Sequence, residues 1–332
     1  MSRRGELLRL LADGERHSGE ELAAALAVSR AAVWKQLRLL PDWGIDCTAE
    51  RGRGYRLAQP LDLLSAEAVR RELPQFAAGR LRNLDVHEAL ASTSDALLAV
   101  GDLPAGRFDA CLAEFQTAGR GRRGRRWLAP FGSGLCLSVN WTFRDAPAAL
   151  GALSLAAGVA VLRALASLGV AGAGLKWPND IVHEGRKLGG ILIDLRGEAA
   201  GPAYVVVGVG LNTRLSAQAF AALRAEGSEA VDLATLGAAP RRSSMAALLV
   251  GEFALALEEF DARGFVAFAD EWRCADALAG RPVRVLQGRD SQDGVARGVD
   301  PDGALVLETG GARRRILSGD VSVRLAVACP NA

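Results

Sequence analysis

The sequence predicts a multidomain α+β protein. It has a winged helix-turn-helix unit at residues 1–60, a central mixed or antiparallel sheet with helices at 61–276, and a small five-stranded β-barrel at 277–327. Three patterns point to this. Helical apolar spacing punctuated by serines runs through the first forty residues. Several strand-like runs then follow one another without a crossover helix, an α+β pattern rather than a chain of βαβ units. The tail breaks into short β runs at turn signals such as D-P-D-G, residues 300–303.

In the first unit, Leu7, Leu8, Leu10 and Leu11 place a helix at 5–12. Ser18 precedes a helix at 19–27, with Glu20 and Glu21 in the first turn, where the helix dipole favours acids. Ser29 is an N-cap for a third helix to about Leu40, where Pro41 is expected to stop it. Residues 45–48 and 55–57, joined by an Arg/Gly turn, form the wing. Residues 29–58 hold six basic and three acidic side chains, whereas residues 1–28 hold four and five. Positive charge on the third helix and wing suits docking to a phosphate backbone. The groups that would face DNA are Ser29, Arg30, Trp34, Lys35, Arg51 and Arg53. An interaction module with a solvated basic face is the alternative.

Further on, residues 61–80 read as a connector with a helix from about Ser65. Strands are expected at 84–87, 110–115, 134–143, 187–195 and 204–209, and helices at 147–168, 243–260 and 265–275. The uncharged stretch 146–162, which no other exceeds in length, falls short of the ~18–20 continuous apolar residues of a membrane span and reads as a buried helix. No signal peptide is recognisable and no membrane partner is expected. A net charge of +2 argues against a chain built to coat a polyanion. The five cysteines are scattered without C-x-x-C spacing and there are three histidines, so neither a zinc site, a histidine-ligated metal nor a disulfide framework is expected. A reducing cytoplasm fits.

Four segments could hold chemistry. The first, 119–127, reads G-R-G-R-R-G-R-R-W, with five arginines in the seven residues from Arg120 to Arg126. Such a loop repels itself and suits a phosphate-bearing ligand, either a small molecule or a polymer. It lacks the G-K-[ST] ending of a P-loop. The second, K-W-P-N-D, presents Lys176, Asn179 and Asp180 from a turn stiffened by Pro178, with Lys187 following in R-K-L-G-G-I-L. A hairpin with a surface salt bridge is the plainer reading. The third, V-G-V-G-L-N at 207–212, alternates glycine with apolar residues and ends in Asn212. The fourth, S-T-S-D at 92–95, could simply cap a helix. Together they suggest a glycine-relieved pocket in which lysines and arginines surround a phosphate, as nucleotidyl transfer requires.

In this order the motifs resemble those of biotin protein ligases. H-S-G-E-E-L, S-R-A-A-V-W-K, G-R-G-Y-R-L and the tail R-G-V-D-P-D-G-A-L resemble the bifunctional form that also represses the biotin operon. The similarity spans residues 7–326. It implies a class II synthetase-like catalytic fold, an SH3-like tail barrel, and a two-step reaction. Biotin and ATP, with Mg²⁺, give biotinyl-5′-AMP. A lysine of the biotin carboxyl carrier protein of acetyl-CoA carboxylase, or of another biotin-dependent carboxylase, then takes the biotin. It also implies adenylate-dependent homodimerisation on operator DNA of biotin synthesis genes.

Carried over by position, the resemblance puts Ser92, Thr93, Ser94, Gln116, Gly119, Arg120, Gly121, Arg122, Lys187, Gly190 and Gly208 at biotin. It puts Arg122, Arg125, Trp127, Lys176, Asn179, Gly210 and Asn212 at ATP or the adenylate. Lys187, Lys176, Asp180 and Arg120 would serve catalysis, Asp180 by orienting the incoming lysine or accepting its proton. Ser94 stands where the family pattern has asparagine. A sensor without transferase activity, or a ligase that has lost operator binding, are the alternatives.

Overall fold

The computed structural model describes residues 2–50, 52–101, 103–144, 150–197, 202–238, 240–287, 290–317 and 321–325. The first unit contains α1 (Arg3–Leu11), α2 (Gly19–Ala25) and α3 (Arg30–Leu37), each started by a serine. Ser2, Ser18 and Ser29 accept from the backbone N–H groups of Gly5, Glu21 and Ala32, and Ser18 with Glu21 forms a full capping box. The third helix ends earlier than expected. Pro41 does not stop it but sits in the first turn of a separate 3-10 segment, Leu40–Trp43, where its missing N–H costs nothing. The wing is the antiparallel hairpin β1 (Cys47–Glu50) and β2 (Gly54–Leu57).

The central unit opens with α4 (Ala66–Glu72) and α5 (Gln75–Ala78), then β3 (Leu81–Leu90), α6 (Thr93–Leu98), β4 (Phe108–Gln116), β5 (Gly134–Phe143) and α7 (Leu153–Ser167). It continues through β6 (Ala173–Lys176), β7 (Asp180–His183), β8 (Arg186–Gly197), β9 (Ala203–Asn212), α8 (Ala217–Ala225), α9 (Arg242–Arg263) and α10 (Ala269–Ala275). The first residues of the expected 147–168 helix lie outside the described residues; the helix itself begins at Leu153 after a 3-10 turn. The seven strands run β3-β4-β5-β9-β8-β7-β6. β3 and β4 are parallel and the other pairs antiparallel, so the sheet is mixed.

Strand alternation assigns the two faces of the sheet. Leu135, Leu137, Val139, Val207, Val209 and Leu211 join the main core with α7 and α9. Ser138, Gly208 and Gly210 therefore fall on the other face, where α6 packs. V-G-V-G-L-N thus reads as valine and leucine to the core and glycine to the site.

The tail forms a five-stranded antiparallel sheet from β10 (Pro282–Gln287), β11 (Asp290–Val299), β12 (Leu305–Thr309), β13 (Ala312–Ile316) and β14 (Val321–Leu325), in the order β13-β12-β11-β10-β14. Its D-P-D-G turn docks on the central unit, where Trp177 Nε1 donates to Gly303 O at 3.0 Å.

Candidate active site

A cavity of about 740 Å³ lies on the glycine face of the sheet. Every residue that the resemblance placed at biotin or ATP lines it except Gly119, which is buried beneath. Asp180 lines it too.

At one end, Ser92 caps α6, accepting from Asp95 N at 3.4 Å, so the capping reading of S-T-S-D holds for that residue. Thr93 and Ser94 follow it into the cavity floor. Gln116 Oε1 accepts from Thr93 N at 2.7 Å. Ser138, which no sequence motif marked, lies 2.8 Å from Thr93 Oγ1 and 3.1 Å from Ser94 Oγ. Only its place on the site face of β5 could have revealed it.

The arginine loop is a closed hairpin. Trp127 N donates to Gly119 O at 2.9 Å and Gly121 N to Arg125 O at 2.7 Å, around a turn at Arg122–Gly124. Arg120 reaches out of it to two carboxylates, Asp95 at 2.7 Å and Asp194 at 2.9 Å. Trp127 packs against Gly210, and a Cβ at that position would stand 2.3 Å from the indole. The glycine is a packing requirement of the tryptophan.

Lys187 Nζ lies 2.5 Å from Asp180 Oδ1 and 5.8 Å from the centre of the Trp127 ring. The K-W-P-N-D turn is the β6–β7 hairpin, with Lys176 and Asp180 directly paired across it. The hairpin reading of K-W-P-N-D therefore holds, although its two strands, each only four residues long, were not among the expected strands. Asn179 ties the turn to β8: its Nδ2 donates to Ile191 O at 2.6 Å, and Ile191 N returns a bond to Asn179 O at 2.9 Å. Asn212 is 3% exposed, and its Nδ2 donates to the carbonyls of Lys187 and Val231 at 3.2 and 3.1 Å. Both asparagines thus brace the strands with their amide nitrogens. Residues 226–230 were also missed. Glu229 O accepts from Lys187 N at 2.7 Å, which brings this loop against the cavity. Cys136, on the same face of β5, has its thiol pushed up to about 11 by burial and stays protonated.

Comparison with known proteins places this geometry. The chain is 39% identical over 326 residues to the bifunctional ligase/repressor BirA of Escherichia coli K12, with 97% of each protein covered. The chain belongs to the biotin protein ligase family. The Biotin/lipoate A/B protein ligase family model matches residues 94–212, an HTH domain model residues 3–56, and the biotin protein ligase C terminal domain model residues 279–324. A biotin–[acetyl-CoA-carboxylase] ligase of Mycobacterium tuberculosis is 39% identical over 272 residues, covering 80% of this chain and 97% of that one. A solved biotin protein ligase from Aquifex aeolicus, in complex with biotin and ATP, matches with a TM-score of 0.60 at 25% identity, covering 74% of this chain and 99% of that one.

This biotin protein ligase has its HTH unit packed on the catalytic sheet. Trp43 stacks on Phe131 at 5.1 Å and Phe115 at 5.8 Å. On α3, Arg30, Trp34 and Lys35 are exposed, and the Arg38 guanidinium lies 4.8 Å from the Trp34 ring centre. Ser29 serves as the α3 cap. On the wing, Arg53 is exposed and pairs with Glu50 at 3.3 Å, and Arg51 lies outside the described residues.

Proposed function

We propose that this chain joins biotin to ATP to form biotinyl-5′-AMP and pyrophosphate, then transfers the biotin to a lysine of a biotin carboxyl carrier protein, releasing AMP. The observation that supports this best is the Lys187–Asp180 pair beside Trp127 on a glycine floor, with the Ser/Thr/Gln group at the other end of the same cavity. In the first step a biotin carboxylate oxygen attacks the α-phosphorus and the bond to pyrophosphate breaks. Negative charge on the α-phosphate oxygens rises in that transition state. Lys187, Lys176 and the loop arginines offer fixed positive charge there, worth more in a partly dry cavity than in water.

Asp180 holds Lys187 in place before the ligand arrives. Once Lys187 turns to the phosphate, Asp180 is placed to accept a proton from the incoming lysine amine as it attacks the mixed anhydride. Arg120 and Gly121 cover the biotin side; Arg122, Arg125 and Trp127 cover the nucleotide. Water kept off the anhydride favours transfer over hydrolysis. Asp180, Glu226 and Glu229 line the cavity, but no group of three acidic, histidine or cysteine side chains among the described residues is placed to hold a metal, so Mg²⁺ would be held mainly by the substrate phosphates. Bound with ATP, Mg²⁺ would neutralise phosphate charge.

The same chain, in the cytoplasm, is proposed to dimerise when loaded with the adenylate and to repress biotin synthesis genes through α3 and the wing. A sensor without transferase activity is the rival. It is disfavoured because a sensor need not keep two lysines tuned to a transition state. Incubation with biotin, ATP, Mg²⁺ and a carrier domain tests the pair of readings, since only the ligase leaves biotin on a carrier lysine. For repression, protection of the upstream DNA of biotin genes should require biotin and ATP together. Equal protection by a chain lacking residues 1–60 would remove the DNA-binding role.

A further inference from the structure

We infer that Ser138, on β5 and outside every sequence motif, is a positioning residue that sets the hydrogen-bond polarity of the biotin end of the cavity. The inference rests on the ligase reading of this cavity. Thr93 is 3% exposed, Ser94 5% and Ser138 0%, so bulk water does not compete for their hydroxyls. The Thr93 backbone N–H donates to Gln116 Oε1 at 2.7 Å. A backbone N–H can only donate, which fixes the oxygen end of the Gln116 amide.

Each later bond then has one possible direction. Thr93 Oγ1 lies 3.1 Å from that same oxygen and donates to it. A hydroxyl has one hydrogen. In its 2.8 Å contact with Ser138, Thr93 must therefore accept and Ser138 donate. Ser138 is committed in turn, so in the 3.1 Å contact with Ser94 it accepts and Ser94 donates. The chain runs one way, from Ser94 through Ser138 and Thr93 to Gln116.

The consequence lies at the two ends. Ser94 directs its hydrogen into the sheet and offers the cavity lone pairs only. Gln116, which also lines the cavity, directs its oxygen at Thr93 and so turns its Nε2 end, a donor, away from that hydroxyl chain. An acceptor and a donor on one floor complement a ring that presents N–H and C=O on adjacent atoms, the cyclic urea of biotin. They oppose a ring of acceptors alone, because a buried polar group would lose its partner. The asparagine of the family pattern has a fixed carbonyl acceptor, whereas a serine hydroxyl is free to turn. Ser138 supplies the constraint that Ser94 lacks by itself. Gly208 leaves the room, since a Cβ there would stand 2.8 Å from Ser94 Oγ and 3.3 Å from Ser138 Oγ.

Steady-state ligation by the full chain, with biotin, ATP and a carrier domain, tests this. Ser138→Ala should raise the KM for biotin roughly ten-fold, the scale set by an unsatisfied buried partner, with kcat and the KM for ATP near wild type. In a Ser94→Ala background the same change should add little, because Ser138 acts through Ser94. Ser138→Cys keeps the shape with a weaker donor and should fall between serine and alanine. It also serves as the test if Ser138→Ala does not fold. An unchanged biotin KM in Ser138→Ala, equal losses for biotin and ATP, additive losses in the double variant, or wild-type behaviour of Ser138→Cys would each overturn the inference. A wild-type chain that ligates nothing would instead overturn the ligase reading.

Discussion

Lys187 and Asp180 form an ion pair, on which the proposed chemistry rests, and both residues were marked in the sequence. K-W-P-N-D marked Asp180 on a stiff turn, and R-K-L-G-G-I-L marked Lys187 seven residues later in the following β run. The structure adds that they meet at 2.5 Å beside Trp127. Lys187→Ala should slow adenylate formation by about 100-fold, the scale of losing one preorganised charge at a developing anion, as read by pyrophosphate release. An unchanged rate would remove Lys187 from the phosphate. Gly210 makes a sharper steric prediction. A Cβ would stand 2.3 Å from the Trp127 indole, so Gly210→Ala must displace the ring. The KM for ATP should rise roughly ten-fold and Tm should fall a few degrees, as overpacking by 1–3 kcal/mol implies. The asparagines show where reading residues one by one stops. Asn179 and Asn212 line the cavity, as ligand contacts would, and their amide nitrogens also donate to backbone carbonyls, which only the folded neighbours reveal.

Elements with strong local signals were read well, and those defined by distant partners were not. Serine caps placed α2 and α3, and apolar strand-like runs placed β5 and β9, because both signals act within a few residues. The β6–β7 hairpin lacks such signals; α8 has one, the Ser216 cap that accepts from Ala219 N at 3.1 Å, yet it was not among the expected helices. β6 is held on one side by β7 and on the other by Asp276 and Ala277, a hundred residues away in sequence. The loop at 226–230 has no signature at all and is found only through its bond to Lys187. For α3, exposure of Arg30 and Lys35 beside Trp34 carries its own prediction. Arg30→Ala and Lys35→Ala should each weaken DNA binding and lower the slope of log K against log salt by about one, as loss of one phosphate contact requires. A variant whose slope stays at the wild-type value would show that its residue makes no backbone contact.

The whole molecule is stitched together at buried junctions that no local pattern announces. Arg242, at the start of α9, is 3% exposed and donates to Glu114 on β4 at 2.6 Å, to the carbonyl of Gly134 and to that of Asp62 in the connector. Glu114 in turn accepts from Leu64 N at 2.5 Å. The connector that carries the HTH unit is therefore anchored by a buried ion pair rather than left as a free linker. Arg242→Met leaves Glu114 buried and unpaired, and should destabilise the chain by about 3–5 kcal/mol in urea unfolding. The double change Glu114→Gln with Arg242→Met should recover most of that loss, and equal destabilisation of the two would contradict the pairing. At this scale Trp43 joins the DNA-binding unit to the catalytic sheet, and the Trp177 bond to Gly303 joins the tail to the K-W-P-N-D turn. The claim about the cavity on the glycine face of the sheet is the central one. Mass spectrometry of a carrier domain incubated with this chain, biotin, ATP and Mg²⁺ tests it most directly. The expected result is a single biotinylated lysine that disappears when ATP is omitted and is nearly lost with Lys187→Ala. An unmodified carrier under all conditions would contradict it.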